Sequence, residues 1–160
     1  MNARTLLEVL FTAEKLKDTT RHCYTKNGRH ESVAEHSWMM TLMAFFMRDE
    51  FPEVDMEKVI KMCIIHDLGE VFTGDFPTFL KTEGHEQTEE EMLSRWVDTL
   101  PENYANEMHA LYDEMVKRET VEAKVFKAIN ASKLSIALNT FASTVSRFTI
   151  SSYNACISFA

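Results

Sequence analysis

Glycine and proline are scarce in this chain, at four and three residues among 160. No Gly-Ser stretch divides it, so nothing in the composition calls for a flexible linker or a second domain. Cysteine is scarce too. Cys23, Cys63 and Cys156 are odd in number and lack CxxC spacing, which fits reduced thiols in a cytosolic protein rather than a disulfide framework. No window reaches the roughly 18 apolar residues of a membrane span. The N-terminal stretch is broken by Arg4 and Glu8 and lacks the apolar centre of a signal peptide. A cytoplasmic, membrane-free protein is the expectation. Basic residues are outnumbered, 17 Lys and Arg against 25 Asp and Glu, for a net charge of −8. That balance argues against binding a nucleic acid polymer, which needs many cationic side chains to neutralise phosphates. It leaves room for a small phosphorylated substrate handled by a few local charges. A GxxxxGK[ST] loop is missing as well, which disfavours P-loop chemistry.

What is present is an ordinary globular mix, 45% hydrophobic and 26% charged, long enough for one real core. The periodicity is helical, without an alternating strand or an internal repeat. Leu6, Leu7, Leu10, Ala13 and Leu16 mark one face of a first helix ending near Asp18. Residues Arg21 to Arg29 read as a loop. A second helix starts near Ser32, where Ser32 and Glu35 have the capping-box spacing, and runs to about Asp49 before Phe51-Pro52. Met56 to Leu68 forms a third, with Val59, Ile60, Cys63 and Ile64 on its apolar face. Val71 to Lys81 contains Gly74 and Pro77 and reads as an irregular loop. Glu86 to Leu100 is helical with Met92, Leu93, Trp96, Val97 and Leu100 inward. Pro101 and Thr120 open the last two clear helices. The expected fold is all-α, a single bundle of about six helices.

The last 31 residues differ in kind. From Asn130 to Ala160 there is no Asp or Glu, and seven serines and three threonines accompany Lys133 and Arg147. The first 129 residues hold 15 basic and 25 acidic side chains; the remainder carries +2. Leu134, Leu138 and Phe141 could extend a helix for a few turns.

The strongest chemical signal is Ile64-Ile65-His66-Asp67-Leu68-Gly69-Glu70. An apolar run explains why a helix is buried; it does not explain His-Asp at its C-terminal turn. Aspartate is seldom fully buried unless a cation or partner compensates it. A second signal is His36, set among Val33, Ala34, Trp38, Met39 and Met40. A lone histidine there is ordinarily a satisfied core residue. Two such helices in one small domain point instead to a shared site. Imidazole with carboxylate suits one divalent transition metal (Mn, Fe, Co, Ni or Zn) better than Ca or Mg. Other candidates carry less. Glu89-Glu90-Glu91 reads as a solvated helix start. His22 and His30 read as surface or supporting residues, and His85 and His109 as exposed. The ten methionines read as core filler.

His36 followed at a distance by His66-Asp67 resembles the signature of HD-domain metal-dependent phosphohydrolases. The longer stretches Glu31-Ser32-Val33-Ala34-Glu35-His36-Ser37 and His66-Asp67-Leu68-Gly69-Glu70, with Thr73-Gly74-Asp75, resemble the branch of bacterial 5′-deoxynucleotidases and their eukaryotic relatives. The resemblance covers about residues 1–129. It implies an HD-domain helical bundle with His36, His66 and Asp67 as metal ligands. It implies Glu70 as the residue that orients or deprotonates the attacking water, and Asp75 as a substrate-binding and site-holding residue. Arg21, 15 residues before His36, would contact phosphate. The substrate would be a nucleoside or deoxynucleoside 5′-monophosphate. The family suggests a homodimer, and the altered tail could remove contacts that such a dimer uses.

The family's metal site needs a fourth ligand, an aspartate that follows an apolar helical run and opens an Asp-Lys-Leu-Glu-like stretch. Here the run Val121 to Ile129 is followed by Asn130; the alternative alignment on Ser132-Lys133-Leu134-Ser135 also lacks a carboxylate. Asparagine offers a neutral carbonyl oxygen without the charge that tunes a cation. The break coincides with the composition shift, which suggests a replaced C-terminus from a frameshift or truncation in the coding sequence. Three readings stay open: an active 5′-nucleotidase with Asn130 or water in the fourth position; an HD hydrolase of another phosphate ester; and a weakened or inactive scaffold that binds nucleotides or partners.

Overall fold

Six helices of ten or more residues carry the fold among the described residues, which are 1–76 and 83–131 of the computed structural model. They are α1 (Ala3–Glu14), α2 (Val33–Met47), α3 (Met56–Ile65), α5 (Glu83–Val97), α6 (Glu102–Lys117) and α7 (Val121–Ala131), with a single turn α4 (Glu70–Thr73) between α3 and α5. Short 3-10 turns follow α1 at Lys15–Lys17 and α2 at Arg48–Glu50. The all-α expectation holds.

The stretch expected to be a loop around Arg21 is instead a small antiparallel hairpin. Strand β1 (Thr20–Tyr24) pairs with β2 (His30–Ser32), with Thr20 opposite Ser32 and Tyr24 opposite His30. Gly28 turns the chain at φ +81°, and its N–H donates to the Thr25 carbonyl at 2.9 Å. Burial alternates along β1, but the inward residues are Arg21 and Cys23. Hydropathy therefore shows no alternation there, although the backbone has it.

Two apolar clusters hold the helices together. The first joins α2, α3, α6 and α7 through Met40, Ala44, Met62, Cys63, Leu111 and Ile129. The second joins α5 to α6 through Leu93, Val97, Leu100 and Ala105. Tyr112 packs against both. Met62 is fully buried, and a side chain of that size contributes roughly 1.5–3 kcal/mol by leaving water.

Local signals fix where the chemically interesting segments begin. Ser32 caps α2: its hydroxyl accepts from the Glu35 N–H at 3.2 Å, and the Glu35 carboxylate accepts from the Ser32 N–H at 2.9 Å. Asp55 caps α3 by accepting from the Lys58 N–H. Past Ile65 the chain tightens through Leu68 N–H to Ile65 carbonyl and Glu70 N–H to Asp67 carbonyl, which carries it directly into α4. So Val71 to Thr73 are helical, not part of an irregular loop; residues 77–81 of that stretch lie outside the described residues. So do Leu134, Leu138 and Phe141.

Apolar spacing overstates burial in three places. Met92 and Ile64 are exposed, and Leu6, Leu7 and Leu10 of α1 are each about half exposed. Leu6 and Val9 line an open apolar groove of about 660 Å³ together with Leu68, Trp96, Leu100 and Met108. Helical periodicity marks a face as apolar, but whether another element covers it depends on tertiary packing. No described helix is long and apolar enough to cross a membrane.

Candidate metal centre

The C-terminal turn of α3 and the first turns of α2 meet at His36, His66 and Asp67. One ligand atom from each lies within 4.8 Å of the other two. The two imidazoles stand edge to face with centroids 5.5 Å apart. His66 is held by its own helix: Nδ1 lies 3.0 Å from the Cys63 carbonyl, which can only accept, so Nδ1 carries the proton. Nε2 is then the nitrogen turned to the cluster. It is buried, makes no well-formed hydrogen bond among the described residues, and lies 2.9 Å from Oδ2 of Asp67. An unpartnered imidazole lone pair facing a carboxylate oxygen is an arrangement that a cation satisfies.

The electrostatics agree with that reading. Burial, helped by the positive charge of Arg21, pushes His36 down to about 4, so the ring is neutral, the form that binds metals. Burial alone would raise Asp67, but the imidazoles of His66 and His36, in their protonated forms, and the Arg21 guanidinium outweigh it and hold the carboxyl below its ordinary range. Glu70 is the opposite case. Burial first, then the neighbouring charges of Asp67, Asp75 and Glu89, push it up to about 9. Its Oε2 and the Oδ2 of Asp75 are buried without hydrogen-bond partners among the described residues. Two such oxygens beside a His-His-Asp cluster fit a site that gains a cation and a polar substrate.

Arg21 reaches the cluster from β1. Its Nη1 lies 3.7 Å from Asp67 Oδ2 and its Nε 4.0 Å from Glu31 Oε2. The hairpin is tied to α2 by a two-pronged Arg29–Glu35 ion pair, so the strand bearing Arg21 and the helix bearing His36 are anchored together. Asn130, on the last turn of α7, places Oδ1 3.4 Å from His36 Nε2.

The candidate site residues thus lie in one region: His36, His66, Asp67 and Asn130 at the cluster, Arg21 and Glu70 against it, and Asp75 near Glu70. His22 and His30 are exposed, as expected; His109 pairs with Asp98 at 2.8 Å and is only half-buried. Glu89 needs correcting. It lies inside α5, not at its start, and is half-buried with its side chain against Gly69, where an added Cβ would meet Glu89 Cγ at 2.9 Å. Glu90 and Glu91 are exposed. Tyr112 lies on the apolar side of α6, as its spacing predicts, but its hydroxyl donates to the Ile65 carbonyl just before His66. A tyrosine at helical spacing among apolar residues carries no sequence mark of its hydroxyl's partner.

Comparison with known proteins adds the family context. The family model for the HD domain matches residues 13–152, past the point where the recognisable motifs end. A human protein named 5′-deoxynucleotidase HDDC2 is 28% identical over 137 residues, covering 82% of this chain and 66% of that protein. The Schizosaccharomyces pombe 5′-deoxynucleotidase hdd1 is 30% identical over 141 residues, covering 81% of this chain and 70% of that protein. A crystal structure from Magnetospirillum magnetotacticum, described as a predicted metal-dependent phosphohydrolase, superposes with a TM-score of 0.71 at 29% identity. It covers 79% of this chain and 65% of its own. The chain therefore spans just under two thirds of the length of the human protein and of that solved structure.

Proposed function

We propose, given that this chain belongs to the HD-domain family, that it is a metal-dependent phosphohydrolase that releases phosphate from nucleoside or deoxynucleoside 5′-monophosphates. The observation that carries the reading is the convergence of His36, His66 and Asp67 within 4.8 Å, with the guanidinium of Arg21 3.7 Å from Asp67. The relatives named 5′-deoxynucleotidase support the choice of substrate.

His36 and His66 would hold a divalent transition metal (Mn, Fe, Co, Ni or Zn) as neutral donors, Asp67 as the anionic one, with the amide oxygen of Asn130 beside them. Such an ion, when bound, polarises a phosphoryl oxygen and makes an attacking water more acidic. Arg21 orients the phosphoryl group and offsets its charge through a planar fork of N–H donors. Glu70 takes the water proton. Its carboxyl is raised by burial, and a cation held by the cluster would lower it again toward the range of a working base. Asp75, adjacent to Glu70 in the electrostatic network, would help bind the substrate and hold the site. The leaving group is the nucleoside 5′-oxygen.

The test is phosphate release from deoxynucleoside 5′-monophosphates with added Co²⁺ or Mn²⁺. Turnover that disappears with a chelator and returns on adding metal is the expected result. A folded, metal-loaded protein that releases no phosphate would sink the proposal. Asn130 in place of a carboxylate favours a slow enzyme, because a neutral oxygen leaves the cation with less compensating charge.

A further inference from the structure

The cluster draws its side chains from α2 and α3, with Asn130 arriving on α7; α6 contributes none of them. Yet α6 touches the site through one hydrogen bond. The Tyr112 hydroxyl donates to the backbone carbonyl of Ile65, the residue immediately before His66 and Asp67. That carbonyl belongs to the last turn of α3, where helical acceptors run out, and it also accepts the Leu68 N–H at 3.0 Å. The ring itself is wedged between the two apolar clusters. Its position is therefore set by both halves of the core, not by a flexible stem.

We propose that Tyr112 is a positioning residue for the metal centre: its hydroxyl pins the Ile65 carbonyl and so sets the angle at which the following turn presents His66 and Asp67. The proposal rests on the metal-centre reading given above. The backbone of this turn is held from two directions. The Cys63 carbonyl receives His66 Nδ1–H from within α3, and Tyr112 holds Ile65 from across the α3–α6 interface. The first bond sets the ring and its tautomer; the second sets the peptide from which His66 and Asp67 diverge. Groups bonded directly to a ligand typically change metal affinity by about 10–100-fold when lost; Tyr112 acts one peptide further back, so the low end of that range is expected.

The experiment is a Co²⁺ titration of the metal-free full chain, read by the visible absorption of the bound ion and by its Kd. Tyr112→Phe keeps the ring and removes only the oxygen. It should retain the helical circular dichroism of the wild type while binding Co²⁺ roughly tenfold more weakly or worse, with an altered absorption band. Leu111→Val, on the same helix but facing the core, should lower Tm and leave the Co²⁺ affinity unchanged. Equal affinity and an identical spectrum in Tyr112→Phe and wild type would overturn the positioning role. So would an equal loss in Leu111→Val, since the effect would then be general loosening of α6. A wild-type protein that takes up no Co²⁺ overturns the metal-centre reading and this one with it, whereas failure of the variant comparison alone leaves the metal centre standing.

Discussion

The amide oxygen of Asn130 lies 3.4 Å from Nε2 of His36, closing the site with a residue 94 positions away in sequence. The contact puts a neutral oxygen beside the nitrogen proposed to hold the metal. Replacing it by a carboxylate adds a negative charge without changing the shape of the side chain.

Asn130→Asp should therefore bind Co²⁺ or Mn²⁺ at least about tenfold more tightly, a gain of about 1.4 kcal/mol, and release phosphate faster. Isothermal titration and a phosphate assay on both proteins check it. Equal affinity and equal rates would show that Asn130 is not at the ion.

Arg21 sits between two carboxylates, Asp67 and Glu31, with its side chain mostly buried. A lysine keeps the charge but loses the planar fork. Arg21→Lys should raise KM for a 5′-monophosphate by roughly tenfold, the loss of one good charge-assisted hydrogen bond, with a smaller change in kcat. Steady-state kinetics at saturating metal measure the split; an unchanged KM would remove Arg21 from phosphate binding.

The metal-free protein should lose stability as pH rises, because of Glu70. Its carboxyl is raised to about 9 by burial, so the folded state keeps a proton that the unfolded chain has released. Stability from this group is present at low pH and declines between about 4.3 and 9, by up to about 1.4 kcal/mol per pH unit. His36, pushed down to about 4, acts in the opposite sense: stability falls as pH drops from about 6.5 toward 4. Between about pH 7.5 and 8.5 His36 is mostly neutral in both states, and the buried Cys63 thiol, pushed up to about 12, contributes equally to wild type and variant, so the comparison with a Glu70 variant reports Glu70. Thermal melts should show Tm falling across that window in the wild type and a flatter trend in Glu70→Gln. Parallel slopes would contradict the assignment.

Ser32→Ala removes the hydroxyl half of the capping box at the start of α2. The expected cost is about 1 kcal/mol, or roughly 2–4 °C in Tm for a chain of this size. A Tm within error of the wild type would mean that Glu35, still held by Arg29, keeps the first turn in place.

Much of the site was legible because its chemistry violates its surroundings. His66 and Asp67 at the end of an apolar helix, and His36 inside another, have no purpose in a plain core. Capping residues were legible because the capping box is local: Ser32 and Glu35 are three residues apart. Arg21 was harder. Its strand alternates in burial, but arginine and cysteine face inward, and no hydropathy pattern records that. Glu89 was misjudged for a similar reason. Nothing in a run of three glutamates tells which one turns toward a glycine 20 residues earlier, and here Gly69 leaves the room for it.

Sequence alone pointed to the residues proposed to carry the chemistry and to the six longer helices, because both follow from side-chain type and local spacing. Tertiary structure decided how those residues meet. The 3.4 Å approach of Asn130 to His36, the reach of Arg21 to Asp67 and the Tyr112 hydrogen bond to Ile65 all join segments far apart in the chain. Such contacts are set by how apolar faces pack, and close packing fixes them to fractions of an ångström that no local spacing encodes.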